Sequence, residues 1–288
     1  MEKRDILHEI SEKMPELSKG HKKIAAYILN NYEKAAYMTA GRLGRSAGVS
    51  ESTVVRFAGE LCCDGYPELK ALLAETSRNR LTALQRMEVT SERLGGSDVL
   101  AAVLTQDMEN IRKTLDGTSR EDFSAAVGAV CRAENIYVIG VRSSSALAGF
   151  LSYYLNLIFG QVQYITASGE SGVFEKLLPM RENDLLIGIG FPRYSSQTVQ
   201  AMRFAKNSGA EVLAITDTKG SPLARIADYT LAARSDMASF ADSLVAPMSL
   251  INALIVAVGN RRKDQVSENL SRLEGIWEEY NVYEKEEH

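Results

Sequence analysis

The spacing of hydrophobic residues divides the chain into two parts that predict different kinds of structure. Up to about residue 80, apolar residues recur only at helical spacing, as at Ile6, Ile10, Met14 and Leu17. After residue 116, short apolar runs alternate with helical patterns. The sequence therefore predicts an all-α first part and an α/β second part.

Five short runs rich in Ile, Val and Tyr predict the strands of the second part. They lie at residues 135–141 (NIYVIGV), 161–166 (QVQYIT), 184–191 (DLLIGIGF), 211–217 (EVLAITD) and 228–233 (DYTLAA). Near-continuous apolar strands that alternate with helices are typical of a parallel sheet with helices on both faces. We therefore predict a parallel five-stranded sheet flanked by helices, followed by a buried helix at 246–260 and an amphipathic helix at 266–280.

The stretch TAGRLGRSAGVSESTVVRF, residues 39–57, predicts two helices joined by a tight turn. Gly48 lies where the chain needs a positive φ, and Ser50 is placed to cap the second helix. Val54 and Phe57 point to the core, which leaves polar side chains on the outer face. Such a helix suits the major groove of DNA, because short polar groups and an arginine reach base edges and phosphates there.

The candidate DNA-binding residues are therefore polar or basic and lie on or beside this helix-turn-helix: Lys22, Arg42, Ser50, Glu51, Ser52, Thr53 and Arg56. Charge agrees with this assignment, since residues 1–80 carry 13 Lys and Arg against 11 Asp and Glu, and the remainder 20 against 26. The alternative is an ordinary helical hairpin. The expected domains are a helix-turn-helix domain at 1–78, a helical linker at 79–116 with a hinge at Gly95-Gly96, and an α/β domain at 117–288.

Two hydroxyl-rich loops follow the first and third predicted strands, and each leads into a helix. Ligands of open parallel sheets bind beyond the carboxyl ends of the strands, and helix N-termini favour anions. Two such loops predict a site for one phosphate; the alternative is that the serines only cap helices. The candidate ligand-binding residues are Arg142, Ser143, Ser144 and Ser145 in the first loop, and Arg193, Ser195, Ser196 and Thr198 in the second.

Other motifs narrow the class of ligand. The chain contains neither the GxxxxGK[ST] phosphate loop nor the dinucleotide glycine pattern, which favours a small phosphorylated metabolite. Three histidines, at positions 8, 21 and 288, and three cysteines predict no metal site and no disulfide framework. We expect no cofactor. Without an apolar span or a signal-peptide pattern, we expect a cytoplasmic protein that makes no membrane contact.

Several motifs resemble a known family of regulators. The stretches GVRSSSALA, YSSQT, AKNSGAEVLAITD and SPLARIADYTL are similar to the sugar isomerase (SIS) domain. MTAGRLGRSAGVSESTVVRFAGEL, followed by GYPELK, resembles the helix-turn-helix that precedes this domain in RpiR-type bacterial transcription regulators. The resemblance implies an SIS-type fold and a regulator that binds a double-stranded DNA operator as a homodimer or homotetramer and senses a sugar phosphate.

The resemblance also assigns residues. Ser144 matches the family's phosphate-contacting serine. In the second loop, Ser195 and Thr198 match the usual Ser-x-Ser-Gly-x-Thr pattern, whereas Ser196 takes the glycine position and Gly190 takes the first serine position, with a longer loop between.

Two other functions stay open from the sequence. One is a sugar-phosphate isomerase with an accessory helical domain, whose proton-transfer base would be Glu170, Glu175 or Asp242. The other is a regulator that binds a protein through its SIS domain. No carboxylate lies in a catalytic pattern, so we expect a sensor with no catalytic residue.

Overall fold

A computed structural model of the chain describes residues 6–77, 98–166, 169–236 and 241–283. The chain divides into two compact units, a helical unit and an α/β unit that begins at Val103. This division lies inside the expected linker. The expected domain boundaries at 78 and 116 stay a prediction, and the expected hinge at Gly95-Gly96 lies outside the described residues.

The helical unit contains five described helices around one apolar core. Their bounds are α1 Ile6–Lys13, α2 Lys19–Ala35, α3 Ala40–Ala47, α4 Glu51–Glu60 and α5 Tyr66–Ser77. The core takes the inward residues of every helix, including Ile24, Leu43, Phe57 and Leu69. Burial raises the pKa of Tyr66 to about 12, and its hydroxyl donates to the carbonyl oxygen of Met38 at 3.0 Å.

The turn between α3 and α4 depends on two glycines. Gly48 has φ +67° and ends α3 in the left-handed conformation, which glycine adopts without steric cost. Gly44 lies under the start of α4, where an added Cβ would be 2.9 Å from the Val49 carbonyl oxygen and 3.2 Å from the Ser50 carbonyl carbon. The backbone of α3 therefore approaches the turn more closely than any side chain permits.

The α/β unit begins within a long helix and then alternates between helix and strand. The described elements are α6 Val99–Gly117, α7 Arg120–Arg132, β1 Ile136–Gly140, α8 Ser144–Phe159, β2 Val162–Ile165, α9 Gly169–Leu177, β3 Leu185–Ile189, α10 Ser196–Asn207, β4 Glu211–Thr216, β5 Tyr229–Ala232, α11 Val245–Arg261 and α12 Lys263–Glu279. The five strands and the last two helices fall where the hydrophobic pattern predicts them.

The five strands form one parallel sheet in the order β2-β1-β3-β4-β5. The chain leaves β1 toward β2 on one side and resumes on the other side with β3. β1 and β3 are direct neighbours, with Gly140 opposite Ile189 at their carboxyl ends. The predicted parallel five-stranded sheet flanked by helices is confirmed.

Helices cover both faces of this sheet. One face packs against α7, α8 and α11 through residues such as Leu147, Leu151 and Leu254. The other packs against α9 and α10 through Val173, Ala201 and Met202. The helices that follow β1 and β3 therefore lie on opposite faces, and their N-termini flank the carboxyl ends of two adjacent strands.

We expect Gly44→Ala to lower the free energy of unfolding of the helical unit by about 1–3 kcal/mol, because the new methyl group meets backbone that belongs to the turn. Urea unfolding followed by circular dichroism measures the change. Gly59→Ala on α4 is the matched control. Its Cβ meets nothing within 4 Å, so stability should stay equal or rise by up to about 1 kcal/mol. Equal effects of the two substitutions would contradict the close approach at Gly44.

Candidate functional site

The two hydroxyl-rich loops lie at the point where the sheet changes direction. One follows β1 and the other follows β3, and these strands pair side by side. Adjacent strands are about 4.8 Å apart, so the loops leave the sheet as neighbours. In open parallel sheets, this crevice between two outward-running connections is where ligands bind. The structure therefore brings the two predicted loops to one edge.

Serines at the start of α8 and α10 differ from the serine and threonine caps of four other helices. Ser18, Thr39, Ser50 and Ser119 each accept a hydrogen bond from a backbone N–H group of the helix that follows. Ser143 and Ser195 hold the same N-cap position on α8 and α10, yet neither side chain makes a capping hydrogen bond. The sequence left capping and ligand binding open as alternatives, and the geometry removes capping for these two serines.

Thr198, in the first turn of α10, has a buried hydroxyl group without a hydrogen-bond partner among the described residues. The side chain is 1% exposed. Leaving a buried hydroxyl unpaired costs about 1–3 kcal/mol. A group kept at that cost beside a helix N-terminus is suited to a ligand that supplies the missing acceptor.

Two arginines share an unusual backbone conformation in these loops. Arg142 has φ +59° and Arg193 has φ +66°, the left-handed region that costs a non-glycine residue about 1–2 kcal/mol. Both side chains are exposed. Guanidinium groups donate strong, charge-assisted hydrogen bonds to phosphate, so each loop offers a cation beside its serines.

The remaining loop residues are Ser144, which is buried, Ser145, whose hydroxyl donates to the Arg142 carbonyl oxygen at 2.6 Å, and Ser196, which is exposed.

A hydrogen bond that the sequence did not predict fixes the longer second loop. The Tyr194 hydroxyl donates to Oδ1 of Asp217 at 2.6 Å, and Asp217 is a buried residue directly after β4. A third strand end thus holds the loop that follows β3. The tyrosine lies inside the YSSQT motif, but its partner is 23 residues away, and only the order of β3 and β4 in the sheet brings them together.

Most of the candidate DNA-binding residues on α4 are exposed. Glu51, Ser52 and Arg56 are exposed on α4, and Thr53 is half-buried. Ser50 is engaged in the turn: it caps α4, and its Oγ lies 2.9 Å from Ser52 Oγ and 2.8 Å from Thr53 Oγ1.

The first turn of α2 lies against the same helix. An added Cβ at Gly20 would meet the Thr53 methyl group at 3.4 Å. Lys22 is exposed on α2, while Arg42 is half-buried on α3. An open groove of about 660 Å³ follows this contact, lined by Ser18, His21, Thr53, Arg56, Gly59 and Glu60.

Models of two known protein domains match separate parts of the chain. The family model described as the helix-turn-helix domain of the rpiR family matches residues 4–80, and the SIS domain model matches residues 130–257. The sugar isomerase domain of an RpiR transcription factor from Sphaerobacter thermophilus is 34% identical and superposes with a TM-score of 0.58, covering 60% of this chain and 96% of that one. The chain belongs to the RpiR family of transcriptional regulators.

Relatives that match nearly the whole of this RpiR-family chain are named as HTH-type transcriptional regulators. It is 24% identical over 280 residues to the HTH-type transcriptional regulator HexR of Pseudomonas aeruginosa, covering 94% of each chain. An HTH-type regulator of Caldanaerobacter subterraneus is 27% identical over 273 residues, covering 91% of this chain and 93% of that one. The structure of Vibrio vulnificus NanR shares the fold, at 22% identity and a TM-score of 0.57 over 94% of this chain and 98% of that one.

The predicted class is therefore confirmed: the chain is a DNA-binding transcriptional regulator with a helix-turn-helix and an SIS domain. In the parts of this RpiR-family regulator that the structure describes, no helix has the length and apolar character needed to cross a membrane.

Thr198→Val tests the buried hydroxyl directly. Valine keeps the shape of threonine and removes the unpaired group, so we expect the ligand-free protein to gain about 1 kcal/mol or more in its free energy of unfolding. Urea unfolding measures the difference. In the control Thr114→Val, the lost hydroxyl donates to Asn110 and accepts from the Arg234 N–H group, so stability should fall. A fall of similar size for Thr198→Val would mean that its hydroxyl has a partner in the folded protein.

Proposed function

We propose that this regulator senses a phosphorylated sugar or amino sugar between the loops that follow β1 and β3, and that occupancy changes its binding to a DNA operator through α4. The residues proposed for the ligand are the eight loop residues named from the sequence. Those proposed for DNA are Lys22, Arg42, Glu51, Ser52, Thr53 and Arg56, with Ser50 acting as the cap that orients them.

The observation that carries the ligand site is the pair of uncapped helix starts. The first turn of a helix presents N–H groups without intrahelical acceptors, and at α2, α3, α4 and α7 a serine or threonine side chain accepts from one of them. At α8 and α10 the cap residue is present and the capping hydrogen bond is not. A phosphate between the two starts accepts from both N-termini, from the serine hydroxyls and from Thr198 Oγ1.

The charge and the donors of the site favour a small sugar phosphate over a nucleotide. The site offers hydroxyl and N–H donors from two loops and a guanidinium from each, which suits one dianionic group. The NanR structure, which shares this fold, contains ManNAc-6P, a phosphorylated amino sugar. The ligand class proposed here rests on the loops of this chain, and that complex agrees with it.

We propose a sensor rather than an isomerase. The relatives that match nearly the whole chain are named as transcriptional regulators. Of the carboxylates considered as a base, Glu175 is exposed on α9, and Asp242 lies three residues before α11.

α6 supplies a physical link between the ligand edge and the rest of the chain. Its two buried residues are polar. Asn110 Nδ2 donates to the Asp236 carbonyl oxygen at 3.2 Å, and Thr114 Oγ1 accepts from the Arg234 N–H group at 2.9 Å. On the same helix, Asp107 accepts from Ser243 just before α11. These hydrogen bonds attach α6 to the segment that follows β5. A ligand that moves the carboxyl-end edge of the sheet therefore also moves α6. A coupling of about 1–3 kcal/mol suffices to change operator occupancy severalfold.

The assembly we propose is a homodimer or homotetramer that acts in the cytoplasm. Two recognition helices then contact half-sites about one helical turn apart. α6 exposes an apolar stripe at helical spacing, Leu100, Leu104, Met108 and Leu115, each more than half exposed. A second copy of the chain is the partner that would cover it.

A thermal-shift series tests the ligand class. Glucose 6-phosphate, glucosamine 6-phosphate and ManNAc-6P are compared with the same sugars without phosphate and with inorganic phosphate. A ligand at a hundredfold excess over its Kd stabilises the folded state by about 2.7 kcal/mol, so one of the phosphorylated sugars should raise Tm by several degrees. The free sugars should leave it unchanged. Stabilisation by free sugars alone would refute the phosphate site, and interconversion of a sugar phosphate by the pure protein would favour the isomerase.

Two substitutions test the separation of roles. Arg56→Ala should weaken operator binding by about 1–3 kcal/mol and leave the thermal response to the sugar phosphate intact. Ser144→Ala should weaken that response and leave operator affinity intact. Fluorescence anisotropy with labelled duplex and the thermal shift measure the two activities. Arg112→Ala, which removes an exposed arginine from α6, is the control and should change neither. Joint loss of both activities in both variants would contradict the division of roles.

A further inference from the structure

One exposed side chain on α4 differs from all its neighbours. Val55 is 46% exposed, and among residues 6–77 it is the one large hydrophobic side chain in the described structure that is exposed. The rest of the outward face of α4 is polar or glycine, with Glu51, Ser52, Arg56 and Gly59 exposed around it. The apolar residues Val54, Phe57 and Ala58 on the opposite face are fully buried.

Stability does not account for a valine at this position. A β-branched residue lowers helix propensity relative to alanine, lysine or glutamate, and a half-exposed isopropyl group gains only part of the stabilisation that burial gives. Isolated exposed apolar residues are common on protein surfaces, but here the single example among residues 6–77 lies on the face proposed to contact DNA.

The local structure keeps Val55 uncovered. Side chains on a helix lean toward its N-terminus, so the residue four positions later covers the one before it. That residue is Gly59, and nothing lies within 4 Å of the position its Cβ would take. On the other side, the Ser52 hydroxyl is drawn toward the cap, 2.9 Å from Ser50 Oγ. The valine also has one strongly preferred rotamer in a helix, so little side-chain entropy is lost when its methyl groups meet a partner.

The apolar group that the major groove of DNA presents is the 5-methyl group of thymine. We propose that Val55 contacts a thymine methyl group in each half-site and thereby sets a thymine preference at one operator position. This inference rests on the proposed function of α4 as the helix that enters the groove. It adds a specificity-determining residue that the polar candidates from the sequence did not include.

Deoxyuridine lacks only the 5-methyl group of thymidine and therefore tests the contact at a single atom. An operator is first selected from random duplexes with the full-length protein, and each thymine is then replaced by deoxyuridine in turn. At one position in each half-site, the replacement should lower wild-type affinity about fourfold, the effect of removing one buried methyl group. Val55→Ala should lower affinity for the thymine duplex by a similar factor and be insensitive to deoxyuridine there.

Val256→Ala is the matched control, because it truncates another exposed valine, 54% exposed, on α11. This variant should keep the sensitivity to deoxyuridine. If Arg56→Ala weakens operator binding while no position shows a deoxyuridine effect that Val55→Ala removes, the thymine contact is wrong and the role of α4 stands. If Arg56→Ala and Val55→Ala both leave operator binding unchanged, α4 is not the recognition helix, and both proposals fail.

Discussion

The side-by-side pairing of β1 with β3 is the constraint on which the proposed ligand site depends. The connection after β1 crosses one face of the sheet toward β2, and the connection after β3 crosses the other face toward β4. Two helices of opposite faces therefore start at adjacent strand ends. Backbone N–H groups and small hydroxyl side chains converge there without any single element providing a complete site. The apolar runs in the sheet core are thus what aligns the polar loops.

In the helical unit too, backbone packing determines which polar side chains face outward. The absence of a side chain at Gly44 lets α3 lie against the turn, the left-handed Gly48 directs the chain back, and Ser50 starts α4 with a cap. Packing of Val54 and Phe57 then determines which side chains of α4 point outward. The polar and apolar character of that outer face, including Val55, is set by the register of the buried face.

Much of this could be predicted from the sequence. Helices and strands followed from hydrophobic spacing, because the three central strands are buried on both faces and the helices on one. The order of the strands did not follow, since continuous apolar runs carry no information on which strand pairs with which. The same limit hid the hydrogen bond between Tyr194 and Asp217, which joins the ends of two strands. Ser143 and Ser195 were ambiguous because caps and phosphate sites use the same residue types, and only the side-chain geometry shows that neither serine makes a capping hydrogen bond. No motif predicts that the Thr198 hydroxyl lacks a hydrogen-bond partner, because this depends on how the side chain is buried in the fold.

The location of a bound phosphate tests the central claim most directly. Full-length protein would be crystallised with the sugar phosphate that raises its Tm most, and the phosphate located in the electron density. We predict a phosphate within about 3 Å of Thr198 Oγ1 and of backbone N–H groups in the first turns of both α8 and α10. A phosphate held by one loop alone, or at any other place on the α/β unit, would contradict it.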